Sequence, residues 1–270
     1  MFKPKFRLVL TGILSLSLSL SLSLSLLALA GCGSASAPTP TPAPVEKILK
    51  VGSDIAYAPF EFMDEKQQPT GFDIELINAL GADMGYQVKV ETASFDGLIP
   101  ALQAGKYNAV ISAMTITDDR AKSVQFSDRY FKTVQYIAMK KGSNFKTLAD
   151  LKGKKVGVQL STTGQFAVEQ KGITTKKYDT TPDALNDLLN GGVDAVVADA
   201  PVVIWFQAKN SSDQIVSVEA DVDQEYYGIA MKLGNTDLAG KMNASLKKLI
   251  DNKKYNEIYK KWFKKDAPKF

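Results

Sequence analysis

The 270-residue sequence predicts an α/β protein folded as two lobes with a ligand cleft between them. Two observations carry that expectation. From Lys47 onward, short apolar strands alternate with helices in two successive series. Repeated strand–helix–strand units favour parallel-leaning sheets with helices on both faces, and two such series imply two lobes rather than one sheet. The second observation is where the polar segments fall. Ser53-Asp54, Ser112 to Thr117, Gln159 to Gly164 and Asp199 each follow an apolar strand directly, and open α/β sheets bind ligands at the carboxyl ends of their strands. Four such ends predict two polar clusters facing each other across a cleft.

In chain order, the first series begins with a strand at Ile48 to Gly52 and a helix at Phe72 to Met84, whose apolar positions Phe72, Ile74, Leu76, Ile77 and Leu80 share a buried side. A strand at Tyr86 to Thr92, a helix at Gly97 to Ala104 and a strand at Asn108 to Ala113 follow. The chain is then extended at Thr133 to Met139. The second series runs through a helix at Thr147 to Leu151, a strand at Lys155 to Gln159, a helix at Thr163 to Gln170 and a strand at Lys176 to Tyr178. A helix at Pro182 to Leu189 is well punctuated: Thr181-Pro182-Asp183 is a cap with an early proline, and Asn190-Gly191-Gly192 is a stop. A strand at Ala195 to Ala198 and a helix at Val202 to Ala208 come next, then strands at Ile215 to Val218 and Tyr226 to Met231, and helices at Leu238 to Asp251 and Tyr255 to Phe263. The lysines of the last helix alternate with Tyr255, Ile258, Tyr259 and Trp262, the pattern of a solvated face on an amphipathic helix.

The first 46 residues are not domain material. Lys3, Lys5 and Arg7 precede an apolar run from Leu8 to Ala30, which closes in Leu29-Ala30-Gly31-Cys32. The run is long enough to span a bilayer, so an uncleaved anchor is the alternative. Small residues directly before the single cysteine favour a signal peptide over residues 1–31. It resembles a bacterial lipoprotein leader, which implies lipidation of Cys32. Residues 32–46 hold the alternation Pro38-Thr-Pro-Thr-Pro-Ala-Pro44, an extended spacer.

Composition excludes several chemistries. With one cysteine there is no intramolecular disulfide. With no histidine there is no Ser-His-Asp or Cys-His nucleophilic site, no His-ligated zinc and no imidazole base. The formal net charge is +4, but three of the 33 basic residues lie in the leader, leaving 30 against 29 acidic ones, a net of +1. That balance is no footprint for nucleic acid.

One decapeptide concentrates the site chemistry. In Ile111-Ser-Ala-Met-Thr-Ile-Thr-Asp-Asp-Arg120 an apolar strand runs into Thr115 and Thr117, and an acidic pair opens a helix with Arg120 in its first turn. Backbone N–H groups, a hydroxyl and a guanidinium at one strand end suit a carboxylate. Taken alone, Thr-x-Asp before a helix is equally an ordinary N-cap.

The residues from about Lys47 to Phe263 resemble the extracellular solute-binding proteins of polar amino-acid ABC transporters, which have the type II periplasmic-binding-protein fold. The matching segments are Gly52-Ser-Asp-Ile-Ala-Tyr-Ala-Pro-Phe-Glu-Phe62, Gly71-Phe-Asp-Ile-Glu75, Gly97-Leu-Ile-Pro-Ala-Leu-Gln103, Met114 to Arg120, Phe126-Ser-Asp128, Gly157-Val-Gln159 with Thr162-Thr-Gly164, Tyr226-Tyr-Gly228 and Tyr255 to Phe263. The resemblance implies one lobe from 47–132 with 227–264, a second from 133–226, a tail at 265–270, and a ligand held between lobes joined by two chain crossings. It also implies residue roles. Arg120 would pair with the ligand α-carboxylate, helped by Ala113, Thr115 and Thr163, and Asp199 would accept the α-ammonium. Asp54 would read the side chain between the aromatic walls Tyr57 and Phe95. On the residues alone, Asp54 and Asp199 are equally turn or helix caps, and the aromatics equally core. Two departures stand out: Arg129 sits where Pro or Gly is frequent, and Ser161 where Gly is.

The ligand expected is a basic amino acid, arginine or lysine before histidine. Asp54 would otherwise remain an unpaired carboxylate in a closing cleft. In glutamine-specific relatives a Lys stands at the position of Gln159 and a His at that of Ala198, so glutamine is the runner-up. A dehydratase on the same fold, with Glu61, Glu75 or Asp118 as acid, is the enzymatic alternative. The resemblance further implies no cofactor or metal, a monomer anchored by Cys32 on the outer face of the cell membrane, and delivery of ligand to a permease. The ATPase would be a separate subunit, because the chain has no Gly-x-x-x-x-Gly-Lys loop.

Overall fold

The structure, a computed structural model, describes residues 47–210 and 213–268. The leader, the spacer and Cys32 lie outside these, as does the end of the 265–270 tail. Two five-stranded sheets organise the described residues. The first has the order Tyr86–Thr92, Lys47–Ser53, Ala109–Val110, Ala230–Lys232, Val124–Phe126. The second has the order Thr175–Tyr178, Val156–Gln159, Ala195–Asp199, Gln135–Lys140, Ile215–Glu219.

Each sheet is parallel apart from one reversed strand. Ala230–Lys232 runs antiparallel to both neighbours in the first sheet, and Gln135–Lys140 does so in the second. Those two strands are the ones that enter directly after the chain crosses between sheets. The crossings themselves, Phe131–Thr133 and Glu225–Tyr227, pair with each other as an antiparallel ribbon. The sequence predicts Tyr226 to Met231 as one strand; it is split instead. Gly228 donates its N–H to the Met114 carbonyl (3.0 Å) and Ile229 to Ser127 Oγ (2.9 Å), so the chain changes sheet between the two pieces.

The ribbon rests on an aromatic core. Phe60 meets Phe131 edge-on with centroids 4.9 Å apart, Tyr227 stacks on Phe131 at 5.4 Å, and Phe72 packs against both Phe131 and Phe263. Phe60 and Phe72 are fully buried, and each such side chain contributes about 2–3 kcal/mol by leaving water. The two crossings are therefore seated on a buried aromatic cluster.

A small antiparallel sheet of Ala56–Tyr57, Glu61–Met63 and Pro69–Thr70 was not legible in the sequence, because strands of two or three residues carry no period. It brings Tyr57 to the cleft side of the first sheet. Gly71 closes it at φ 130°, and a Cβ there would lie 2.0 Å from the Phe60 carbonyl oxygen, so only glycine fits. Elsewhere the differences are local. The predicted Thr147 to Leu151 helix is a single 3₁₀ turn, Leu148–Leu151, under a Thr147/Asp150 capping box. The 181–190 helix is capped one residue earlier than predicted, by Thr180, and stopped by Gly191 in the left-handed region.

Candidate functional site

The predicted strand Asn108 to Ala113 pairs only at Ala109–Val110 and then leaves the ladder. Ala113 turns at φ 44°, and the chain reaches Thr117, which caps the one-turn helix Asp118–Ala121 by accepting from the Arg120 N–H at 3.2 Å. The cap reading holds for the backbone. The backbone of Arg120 is capped while its guanidinium turns inward, donating to the Thr115 carbonyl (2.8 Å) and, from across the cleft, to the Ser161 carbonyl (2.9 Å). The Phe95 ring lies 5.3 Å from that guanidinium. Burial pushes the Arg120 guanidinium down from its ordinary value, while Glu225 and Asp199 oppose the shift.

The second sheet supplies the facing cluster. Val156–Gln159 ends in Ser161, held at φ 64° with its N–H donating to Gln165 Oε1 (2.7 Å). Thr162 caps the helix Thr163–Gln170. Ser161, noted above as a departure, thus adopts the left-handed turn usually left to glycine and aims its carbonyl at Arg120. Asp199 stands at the N-cap position of Ala200–Lys209 yet makes no side-chain cap bond. Its Oδ2 accepts from the Tyr57 and Tyr227 hydroxyls (both 2.6 Å) and its Oδ1 from Gln135 Nε2 (2.5 Å). Burial, with the Glu225 charge nearby, pushes the Asp199 carboxyl up to about 7 despite those three donors.

Asp54 ends the first strand of the first sheet. Its Oδ2 accepts from Gln159 Nε2 at 2.7 Å across the cleft, and Thr181 donates to Gln159 Oε1 at 2.9 Å, which fixes the amide. Asp54 is thus not the unpaired carboxylate the sequence reading assumed. Its partner is a neutral amide, and burial, with Asp96 adding to it, still pushes Asp54 up to about 6. Behind it, Ser112 Oγ accepts from the Asp54 N–H (3.0 Å) and donates to Glu61 (2.9 Å). Glu61 and Asp73 are both fully buried, and burial raises both carboxyls.

A second correction concerns Ala113. Its N–H donates to Asp73 Oδ2 at 2.8 Å, so it does not supply the N–H bond expected of it. The acid candidates for an enzyme do not converge either. Glu61 is buried behind Asp54, Glu75 pairs with Lys261 on the surface, and Asp118 opens a helix. Arg129 places its guanidinium 4.0 Å over the Tyr226 ring, which ties the approach to one crossing onto the other.

Eight of the nine candidate residues, all but Asp54, line one cavity of about 10 Å³ enclosed between the two sheets. Among its described lining residues Arg120 is the one cation. A far larger groove of about 1490 Å³ shares Phe95, Thr115, Arg120 and Thr163 and opens outward past Phe166 and Asp221. It is the mouth, since the buried polar groups converge on the small cavity. Glu225 and Gln135 escaped the sequence reading. Glu225 Oε2 accepts from the Thr115 hydroxyl (2.6 Å) and the Thr163 hydroxyl (2.8 Å), and its Oε1 from Gln135 Nε2 (3.3 Å). Both residues adjoin the crossings, where no periodic signal marks them; the one pointer was the neighbouring Tyr226-Tyr-Gly228 segment.

Comparison with known proteins identifies the family. Residues 49–265 match the family described as bacterial extracellular solute-binding proteins, family 3. The L-arginine-binding protein of Pseudomonas aeruginosa is 36% identical over 241 residues, covering 82% of this chain and 90% of its own. Among solved structures, the arginine-, lysine-, histidine-binding protein ArtJ from Geobacillus stearothermophilus superposes with a TM-score of 0.78 at 41% identity, covering 82% of this chain and 97% of that one. An ancestral arginine-binding protein bound to glutamine gives a TM-score of 0.78 at 42% identity, covering 82% and 99%.

Proposed function

The chain belongs to the bacterial extracellular solute-binding proteins of family 3, and from that premise we infer that it is the substrate-binding component of an ABC importer for basic amino acids. Its fold is the two-lobed type II periplasmic-binding-protein architecture, and its place is outside the cytoplasm. Lobe 1 is taken as 47–132 with 227–264 and lobe 2 as 133–226, moving about the paired crossings as ligand binds.

Arg120 pairs with the ligand α-carboxylate, supported by the Thr115 and Thr163 hydroxyls. Asp199 accepts the α-ammonium, which holds it ionised. The observation that carries the ligand class is the charge count at the cavity. Asp199 on the cavity wall and Asp54, bonded to the wall residue Gln159, are both desolvated and pushed up, against one guanidinium that the α-carboxylate neutralises. A second cation on the ligand offsets what remains, beside the Tyr57 and Phe95 rings. Arginine or lysine supplies it, with histidine after them. Glutamine is the second reading, because an amide also donates to Asp54.

No catalytic role follows for the acids Glu61, Glu75 and Asp118, so binding and delivery to a permease is the activity proposed. Cys32 is the proposed lipid anchor; among the described residues no helix is long and apolar enough to cross a membrane. A thermal-shift panel of the twenty amino acids tests the ligand reading. Arginine and lysine are expected to stabilise most, and stabilisation by glutamine with none by either would overturn the charge argument.

A further inference from the structure

Glu225 holds the two hydroxyl donors that the proposed function gives to the ligand. Its Oε2 takes the hydroxyl protons of Thr115 (2.6 Å) and Thr163 (2.8 Å), two groups that reach the cavity from opposite sheets. Its Oε1 takes a proton of Gln135 Nε2 at 3.3 Å, and its charge acts on the buried Arg120 guanidinium. A threonine hydroxyl has one proton to donate, so while both are committed to Glu225 neither is available to another carboxylate. The residue sits on the crossing strand Glu225–Tyr227, paired with Thr133 of the other crossing. One carboxylate at the hinge therefore joins both lobes where a bound amino acid would join them.

We propose that Glu225 is a built-in competitor for the ligand: its carboxylate takes the Thr115 and Thr163 hydroxyls beside Arg120 and must give them up when an amino-acid α-carboxylate arrives. This rests on the assignment of Arg120 to the α-carboxylate. Two carboxylates do not share the same two hydroxyls, since like charges at hydrogen-bond range repel. The affinity measured is then the difference between two anions competing for one set of donors. The device also filters ligands, because only a molecule bearing its own carboxylate replaces what Glu225 gives up. The opposite role, a second acceptor beside Asp199 for the ligand ammonium, predicts the opposite sign.

Calorimetry on the wild-type chain and Glu225→Gln, with L-arginine and L-argininamide as probes, decides between them. The amide variant keeps the side-chain length and loses the charge. L-arginine binding is expected to tighten by about tenfold or more, the range of a charge-assisted hydrogen bond released, while L-argininamide, which lacks the carboxylate, does not tighten. Weaker or unchanged L-arginine binding by folded Glu225→Gln overturns the proposal, and so does equal tightening for both probes. Should that variant fail to fold, Glu225→Asp, too short to reach both hydroxyls, is read the same way. A wild-type chain that binds no amino acid would sink the proposed function and this inference together. Wild-type binding without the tightening sinks the inference alone.

Discussion

Replacing Asp199 by Asn separates what this carboxylate does for binding from what it does to stability. The Asp199 carboxyl is pushed up to about 7 from an ordinary 3.8. A carboxyl raised on folding binds more protons in the native than in the unfolded state throughout that window. Stability therefore falls as pH rises from about 4 to about 7, and the full penalty is present above 7. A difference of about 3 pH units corresponds to about 4 kcal/mol as a ceiling. Asn is neutral at every pH and escapes that penalty. Its Oδ1 can keep both tyrosine donors, but its Nδ2 must face Gln135, whose amide has to turn. That turn is assisted by Gln135 Oε1, which is buried without a hydrogen-bond partner among the described residues. Subtracting about 1–2 kcal/mol for the rearranged bonds leaves a gain near 2 kcal/mol at pH 8, or roughly 4–8 °C in Tm for a chain of this size. Thermal unfolding of both proteins without ligand, at pH 4, 6 and 8, measures it, with calorimetry confirming that amino-acid binding is lost. The expected pattern is an advantage for Asp199→Asn at pH 8 that shrinks and reverses by pH 4. A stability difference that does not change with pH would refute the reasoning.

The other predictions concern the ligand. Arg120→Ala is expected to fold, by circular dichroism, but to weaken amino-acid binding by about 2–5 kcal/mol, since the α-carboxylate loses its cation in a desolvated site; micromolar binding retained by a folded variant would remove Arg120 from the role. Gln159→Lys places an ammonium against Asp54, and L-arginine affinity is expected to fall by at least about tenfold while L-glutamine is spared or gains. Equal losses for both ligands would show that Asp54 does not read the side chain. Wild-type affinity for L-arginine should decline as pH drops from 8 through 7 and 6, because Asp199 (about 7) and Asp54 (about 6) take up protons that a cationic ligand must expel. Titrations in buffers of different ionisation enthalpy should register proton release near pH 6.5; affinity flat from pH 8 to 5.5 would rule the linkage out.

The sequence by itself determined the alternation of elements, because apolar spacing and capping residues act within a few positions of one another. The Phe72–Asp83 helix, the Tyr86–Thr92 strand and the Thr163–Gln170 helix fall within a residue of where the pattern places them. It also determined which strand ends are polar, and hence Asp54, Arg120, Gln159, Thr163 and Asp199 as candidates. Tertiary structure alone decided how their hydrogen bonds are spent. Nothing local to Ala113 reveals that Asp73, forty positions earlier, takes its N–H, or that Gln159 reaches over the cleft to Asp54. Glu225 was invisible for the same reason. It lies in a three-residue crossing with no period of its own, and its partners Thr115 and Thr163 stand 110 and 62 residues away. A carboxylate's role depends on which donors the fold brings within 3 Å, and for residues at a hinge those donors come from both lobes at once.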